Sequence, residues 1–176
     1  MNIRAASFAD IDEIMAIYDS ARNYMREQGN NNQWINGYPQ RLLIENDIQN
    51  GHCFVICSGD DEGRGSVEKV HGVFAFIIGK DPTYSVIEQG AWLNDEPYGT
   101  IHRIGSDGKL KGLLKAAIEF CMSKVTNIRA DTHRDNLNMQ NLLEKNRFKK
   151  CGIIYIADGS ERIAYHLICD KIEARP

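Results

Sequence analysis

Near the N-terminus, Ile11, Ile14, Met15, Ile17 and Tyr18 fall on one face of a 3.6-residue repeat. Ser7 stands before them as an N-cap, with Asp10 three residues on. The pattern predicts a helix from about Phe8 to Glu27. The polar, turn-rich run 28–33 ends it. A second helix is predicted from Pro39 to Gln49, with proline in its first turn. The unbroken apolar run Cys53-Phe54-Val55-Ile56-Cys57 reads as a buried strand. Ser58 to Ser66 is polar enough to be a loop, and a strand resumes from Val70 through Ile78, so the two strands form an antiparallel hairpin. Asp81-Pro82-Thr83 breaks the pattern. Tyr84 to Glu88 is a short extended piece, and Thr100 to Ile104 is the next strand.

The helical period returns from Gly108 to Lys124, where Leu110, Leu113, Leu114, Ala117, Ile118 and Cys121 line one face. Asn127 to Thr132 is a strand and Asn136 to Asn146 a helix. Cys151 to Ala157 and Arg162 to Cys169 are strands turned about Asp158-Gly159-Ser160, a C-terminal hairpin. Asp170 to Pro176 is expected to fray. Two helices, a run of strands, then strand–helix–strand–helix–strand–strand predict an α/β chain with a mixed sheet and helices packed on it.

Length and charge narrow the function. The 176 residues suit a single domain spanning 1–176. Lys and Arg total 21 against 24 Asp and Glu, with no basic stripe, so nucleic acid is not an expected partner. No run of 18 apolar residues is present, so no membrane association is expected. The start, Met1-Asn2-Ile3-Arg4, lacks an apolar signal core. The five cysteines, Cys53, Cys57, Cys121, Cys151 and Cys169, are odd in number and contain no C-x-x-C pair. Buried free thiols in a reducing cytoplasm are the expectation. The histidines His52, His71, His102, His133 and His166 show no H-x-x-x-H spacing, so no metal site is expected.

Candidate chemistry concentrates in residues 101–114. A strand runs into a loop holding Gly105, Gly108, Gly112, Lys109 and Lys111, and then into a helix. Unpaired amides at a helix start favour an anion, glycines let the backbone come close, and lysines add charge. These residues suit a phosphate, although an ordinary strand-to-helix turn uses the same types. No G-K-[ST] or G-x-G-x-x-G occurs, which excludes a Walker loop and the dinucleotide fingerprint.

This loop, with Asn136-Leu137-Asn138-Met139-Gln140-Asn141-Leu142-Leu143-Glu144-Lys145-Asn146-Arg147-Phe148 after it, resembles the GNAT acetyltransferase superfamily. That family's loop reads Gln/Arg-x-x-Gly-x-Gly/Ala and its later helix Asn-x-x-Ala-x-x-Leu-Tyr-x-Lys-x-Gly-Phe. The opening Ile3-Arg4-Ala5-Ala6-Ser7-Phe8-Ala9-Asp10 resembles its start, Ile-Arg-x-Ala-x-x-x-Asp. The resemblance covers about residues 2–168. It implies a mostly antiparallel sheet in which two parallel strands splay to form an acyl-CoA cleft. Lys109 stands for the Gln/Arg and Gly112 for the first loop glycine. The resemblance places the amides of Lys109, Leu110, Lys111, Gly112, Leu113 and Leu114 at the pyrophosphate, Ile104 and Ser106 along the pantetheine arm, and Asn136 near the CoA chain. Among the departures from the pattern, Leu114 replaces the second Gly/Ala, Leu143 the Tyr that often protonates the leaving thiolate, and Arg147 the Gly before Phe148. CoA can leave as a thiolate, because an unperturbed thiol has a pKa of about 8.5.

The activity implied is transfer of an acetyl or similar acyl group from acetyl-CoA to an amine, with a small molecule or peptide as acceptor and a homodimer as one possible assembly. The alternative is a non-catalytic acyl-CoA-binding or regulatory domain. Transfer needs a neutral amine, a polarised carbonyl and aligned reactants. A backbone N–H near Ile104 can polarise the carbonyl. Glu88, among Val86, Ile87, Ala91 and Trp92, and His102, with an unperturbed pKa near 6.5, are the candidate bases. An outward strand residue and a packed histidine are the plainer readings of each. His133 is a weaker candidate, and Arg103 reads as structural, on the opposite sheet face from His102. Trp34, Tyr38, Trp92 and Tyr98 lie in polar stretches and can line an acceptor pocket or cap the core. Glu88, Asp95 and Glu96 would favour a cationic amine, or form a solvated acidic face.

Overall fold

The alternation of apolar and polar positions resolves into seven strands and four α-helices in a computed structural model that describes residues 1–58 and 68–169. The predicted loop residues 59–66 and the tail 170–176 lie outside the described residues. The strands are β1 (Asn2–Ala5), β2 (Cys53–Cys57), β3 (Val70–Ile78), β4 (Gly99–Ser106), β5 (Asn127–Thr132), β6 (Lys149–Tyr155) and β7 (Glu161–Ile168). The helices are α1 (Ile11–Glu27), α2 (Arg41–Gln49), α3 (Leu113–Met122) and α4 (Leu137–Lys145). Hydrogen bonding orders the sheet β1-β2-β3-β4-β5-β7-β6. The pairs β1–β2, β2–β3, β5–β7 and β6–β7 are antiparallel, whereas β4 and β5 are parallel. A parallel pair needs a crossover, and α3 supplies it. The parallel register holds at Gly99↔Ile128 and Thr100↔Arg129.

The chain divides into two compact units: Met1–Phe76 with His102–Ile118, and Ile77–Ile101 with Glu119–Pro176. In the first, Ile11, Ile14, Ile17 and Tyr18 of α1 pack with Ile44 and Ile48 of α2 against Cys53, Val55 and Cys57 of β2. These β2 positions alternate, so the strand turns one face to the two helices. Phe54 stacks on Phe74 across the β2–β3 pair, ring centroids 5.6 Å apart. Asp10 fastens the start of α1: its Oδ2 accepts from Ser7 N (2.7 Å) and its carboxylate takes two Arg4 guanidinium donors. In the second unit, Tyr84, Tyr98, Ile154 and Ala164 form a core with Ile87 and Trp92 packed against it.

Several boundaries differ from the sequence pattern. Residues 8–10 are a 3-10 turn before α1 proper. The second helix begins at Arg41 with Gln40 as N-cap. Pro39 follows a cis peptide bond outside it, after a turn with positive φ at Trp34, Asn36 and Gly37. The expected extended piece 84–88 is mostly absent. Asp81 accepts from Thr83 N (2.9 Å) and winds Pro82–Tyr84 into a 3-10 turn, so only Glu88 bridges, to Ile153. The third helix starts at Leu113, not Gly108, because Gly108 and Gly112 take positive φ (75° and 81°) that no helix accommodates. β6 begins at Lys149 and ends at Tyr155. All five cysteines are buried and free. Burial pushes the Cys53 thiol up to about 12.

Candidate functional site

In the first unit, β4 delivers the chain into the loop 107–112 and α3 leaves it. Two side chains shape the loop's entry. Ser106 Oγ accepts from Gly108 N (3.0 Å), and Asp107 Oδ1 accepts from Lys109 N (3.0 Å). Gly112 O accepts from Ala116 N (3.0 Å), which sets the first helical turn. The amide of Lys109 is therefore committed within the loop. Those of Leu110, Lys111, Gly112, Leu113 and Leu114 donate to no acceptor among the described residues. A Cβ built on Gly112 meets nothing closer than Met1 Cε at 3.8 Å, so the backbone is open there. The Lys109 side chain is 64% exposed and Lys111 is also exposed. Adjacent amides with two solvent-facing ammonium groups form a donor set suited to a diphosphate.

Asp107 also meets a partner that the sequence pattern did not single out. Its Oδ2 lies 2.9 Å from His71 Nδ1, and its N–H donates to His71 O (3.0 Å). Burial works against the Asp107 charge, but the hydrogen bonds from Lys109 N and His71 outweigh it and hold the carboxyl below its usual range.

Arg103 takes φ +51°, outside the extended range of a regular strand. Arg103 Nη2 donates to Asp47 Oδ2 (2.6 Å), and Arg103 O accepts from Tyr18 Oη (2.9 Å). Burial opposes the Arg103 charge, yet Asp47 outweighs it and the guanidinium stands above its ordinary pKa. Trp34 packs edge-on to Tyr18 (5.5 Å between centroids) and beside Tyr38 (6.5 Å). Two of the four candidate aromatics thus meet in one cluster with Tyr18. Asp47 carried a signal: it is a charge between Ile44 and Ile48 on the apolar stripe of α2. Ile104, Ser106 and His102 are half-buried on β4.

In the second unit, the other two aromatics clamp a cation. The Arg129 guanidinium lies 4.0 Å from the Trp92 ring centroid and 3.8 Å from that of Tyr98. Arg129 Nη2 donates to Asn94 O (3.0 Å), Asn94 Nδ2 to Asn127 Oδ1 (2.9 Å), and Tyr84 Oη to Asp131 Oδ1 (2.6 Å). Asn127, Arg129 and Asp131, alternate residues of β5, each hold the segment 84–98. Glu88 is exposed and accepts from Tyr155 Oη (3.2 Å). Asn136 caps α4, its Oδ1 accepting from Met139 N (3.1 Å). His133 is buried, which lowers its pKa, and its Nδ1 lies 3.3 Å from Asp135. Leu143 is 2% exposed. Asp95 and Glu96 are exposed. Among the described residues no cluster of three metal-ligating side chains occurs, and no helix is long and apolar enough to cross a membrane.

Comparison with known proteins adds to this picture. No protein-family model matches the sequence, and no curated protein matches it. Solved structures do match. An acetyltransferase of the GNAT family from Streptococcus agalactiae 2603 is 33% identical, covers 97% of this chain and 96% of its own, and superposes with a TM-score of 0.82. A GNAT-family acetyltransferase from Listeria monocytogenes 4b F2365 (18% identity, 95% and 94% coverage, TM-score 0.67) shares the fold. So does a ribosomal-protein-alanine N-acetyltransferase from Brucella melitensis (19% identity, 96% and 99% coverage, TM-score 0.54). Identity of one residue in three over nearly the whole of both chains, together with the mixed sheet and its β4–α3 loop, makes this chain a member of the GNAT family of acetyltransferases.

Proposed function

We propose that this protein moves an acetyl or similar acyl group from acyl-CoA to the amine of a small molecule or peptide. One observation carries the reading: the loop 107–112 and the start of α3 present the uncommitted amides of Leu110 to Leu114 beside two exposed lysines. That donor set fits the diphosphate of CoA. When bound, CoA supplies an acyl carbon activated as a thioester. The chain's residues bind, orient and move protons around it. Ile104 and Ser106 align the pantetheine arm along β4. A backbone N–H near Ile104 donates toward the carbonyl oxygen as charge grows there. His102 takes the proton from the attacking nitrogen as the C–N bond forms and the C–S bond breaks, whereas Glu88 is held against β6 in the second unit. Trp34 and Tyr38, packed together in the first unit, offer aromatic surface to the acceptor, whereas Trp92 and Tyr98 hold Arg129 in the second unit.

The test is thiol release from acetyl-CoA across a panel of amines, repeated for His102→Ala, with Glu88→Gln as the control, over a range of pH. Amine-dependent release supports transfer. If His102→Ala does not lower the rate by about tenfold, His102 is not the base. A second reading, acyl-CoA binding without turnover, is favoured by Leu143, a buried side chain with no proton to give where the family often has tyrosine. It predicts tight CoA binding and no thiol release with any amine.

A further inference from the structure

Asp107 poses a problem for an anion-binding loop, because a carboxylate at its entry repels the ligand it is meant to hold. The structure commits both of its oxygens. Oδ1 accepts from Lys109 N at 3.0 Å. Oδ2 accepts from His71 Nδ1 at 2.9 Å and lies 3.8 Å from Lys109 Nζ. A carboxylate only accepts, so Nδ1 carries the proton. The His71 and Asp107 side chains are 10% and 12% exposed, and Asp107 N also donates to His71 O. The next residue on β3 holds the loop's other end. A Cβ on Gly72 would lie 3.2 Å from Leu113 Cδ2 and 3.4 Å from Gly105 O, so glycine there lets the start of α3 close onto β3. Two consecutive residues of β3 therefore anchor both ends of the loop.

We propose that His71 is a positioning residue for cofactor binding. Its Nδ1–H fixes the turn at 107–109 and occupies the Asp107 carboxylate, which leaves the amides of Leu110 to Leu114 and the ammonium group of Lys111 for the anion. Without this bond, the Asp107 carboxylate is free to turn away from β3 and toward the anion, and the turn it holds loosens. The inference rests on the acyl-CoA reading for its ligand, but the bracing of the loop is a property of the free protein.

The test compares His71→Ala, His71→Asn and Asp107→Ala with the wild type. Asparagine places an N–H close to where histidine places Nδ1–H. Three readouts are needed: CoA affinity by calorimetry, KM for acetyl-CoA against kcat, and amide exchange of residues 108–114 without ligand. His71→Ala is expected to weaken CoA and raise KM by about tenfold or more, leave kcat within about twofold, and speed exchange in the loop. His71→Asn restores affinity to within about threefold. The His71→Ala/Asp107→Ala double variant binds no more weakly than the worse single variant, because the two act as one unit. Unchanged affinity and exchange in His71→Ala, failure of asparagine to rescue, or additive losses in the double variant would each overturn the proposal. If His71→Ala does not fold, the rescue by asparagine and the exchange in Asp107→Ala decide. If the wild type binds no CoA, the function reading fails by itself, and exchange in the free variants still decides the bracing.

Discussion

Arg103 and Asp47 form a buried ion pair, Nη2 to Oδ2 2.6 Å, with side chains 11% and 9% exposed. It joins β4 to α2 in the first unit, under the ring cluster of Tyr18, Trp34 and Tyr38. Removing one partner leaves a buried charge uncompensated. Arg103→Met alone should therefore destabilise by about 3–5 kcal/mol, and so should Asp47→Leu alone. The double variant should recover most of that loss. Urea unfolding of the three variants checks this, and equal destabilisation by the double and the sum of the singles would show that the pair is not coupled.

The loop reading predicts that charge, not shape, decides binding at Gly112. Its φ of +81° strains any side chain, but Asn and Asp tolerate it better than most and are nearly isosteric. Gly112→Asn should bind acetyl-CoA within a few-fold of wild type. Gly112→Asp should lose at least about tenfold more, since two like charges at 4 Å repel by roughly 1–4 kcal/mol. Calorimetric titration of both variants separates the two, and equal affinities would remove the diphosphate from this loop.

Gly90, unlike Gly112, is a position where no side chain fits. A Cβ there would lie 1.9 Å from Cys151 O, a backbone atom that cannot swing away. Gly90→Ala should cost about 3 kcal/mol or more and break the paired hydrogen bonds between Glu88 and Ile153 (2.8 Å each). Gly159→Ala, open on all sides but with φ +80°, serves as the milder control. Similar melting temperatures for the two variants would refute the packing argument.

His166 should make stability fall in mild acid. It is fully buried, accepts from Leu93 N at Nδ1 (3.3 Å) and faces Asn127 Oδ1 through Nε2 (3.1 Å). Burial, helped by Arg129, lowers its pKa to about 4. Unfolded, it titrates near 6.5. Between these values the unfolded chain binds the proton and the folded one does not. Stability is therefore full above pH 6.5 and declines as pH falls toward 4, by on the order of 3 kcal/mol. His166→Gln should flatten that part of the profile measured by denaturant unfolding. An unchanged slope between pH 6.5 and 4 would assign the acid sensitivity elsewhere.

The order of elements is legible because it rests on local signals. The stripe Ile11 to Tyr18, the apolar run of β2 and the bounds of β5 follow from side-chain period alone. What the pattern missed depends on partners distant in sequence. His71 and Asp107 are 36 residues apart, and Asp47 and Arg103 are 56 apart. The left-handed Arg103 has no local mark, since arginine is not a residue that seeks positive φ. The helix expected from Gly108 starts five residues later because Ser106 and Asp107 capture the amides first. Trp92 and Tyr98 stood out as aromatics in polar surroundings. That they hold Arg129 between them is visible only when β5 is in place.

The central claim is that this chain binds acetyl-CoA through its β4–α3 loop. Thermal unfolding with and without acetyl-CoA, with ATP and NAD as controls, tests it most directly. A ligand at a hundred times its dissociation constant adds about 2.7 kcal/mol. For this length that is a rise in Tm of roughly 5–11 °C. The account predicts such a rise with acetyl-CoA and little with ATP or NAD, whereas no shift at millimolar acetyl-CoA would contradict it.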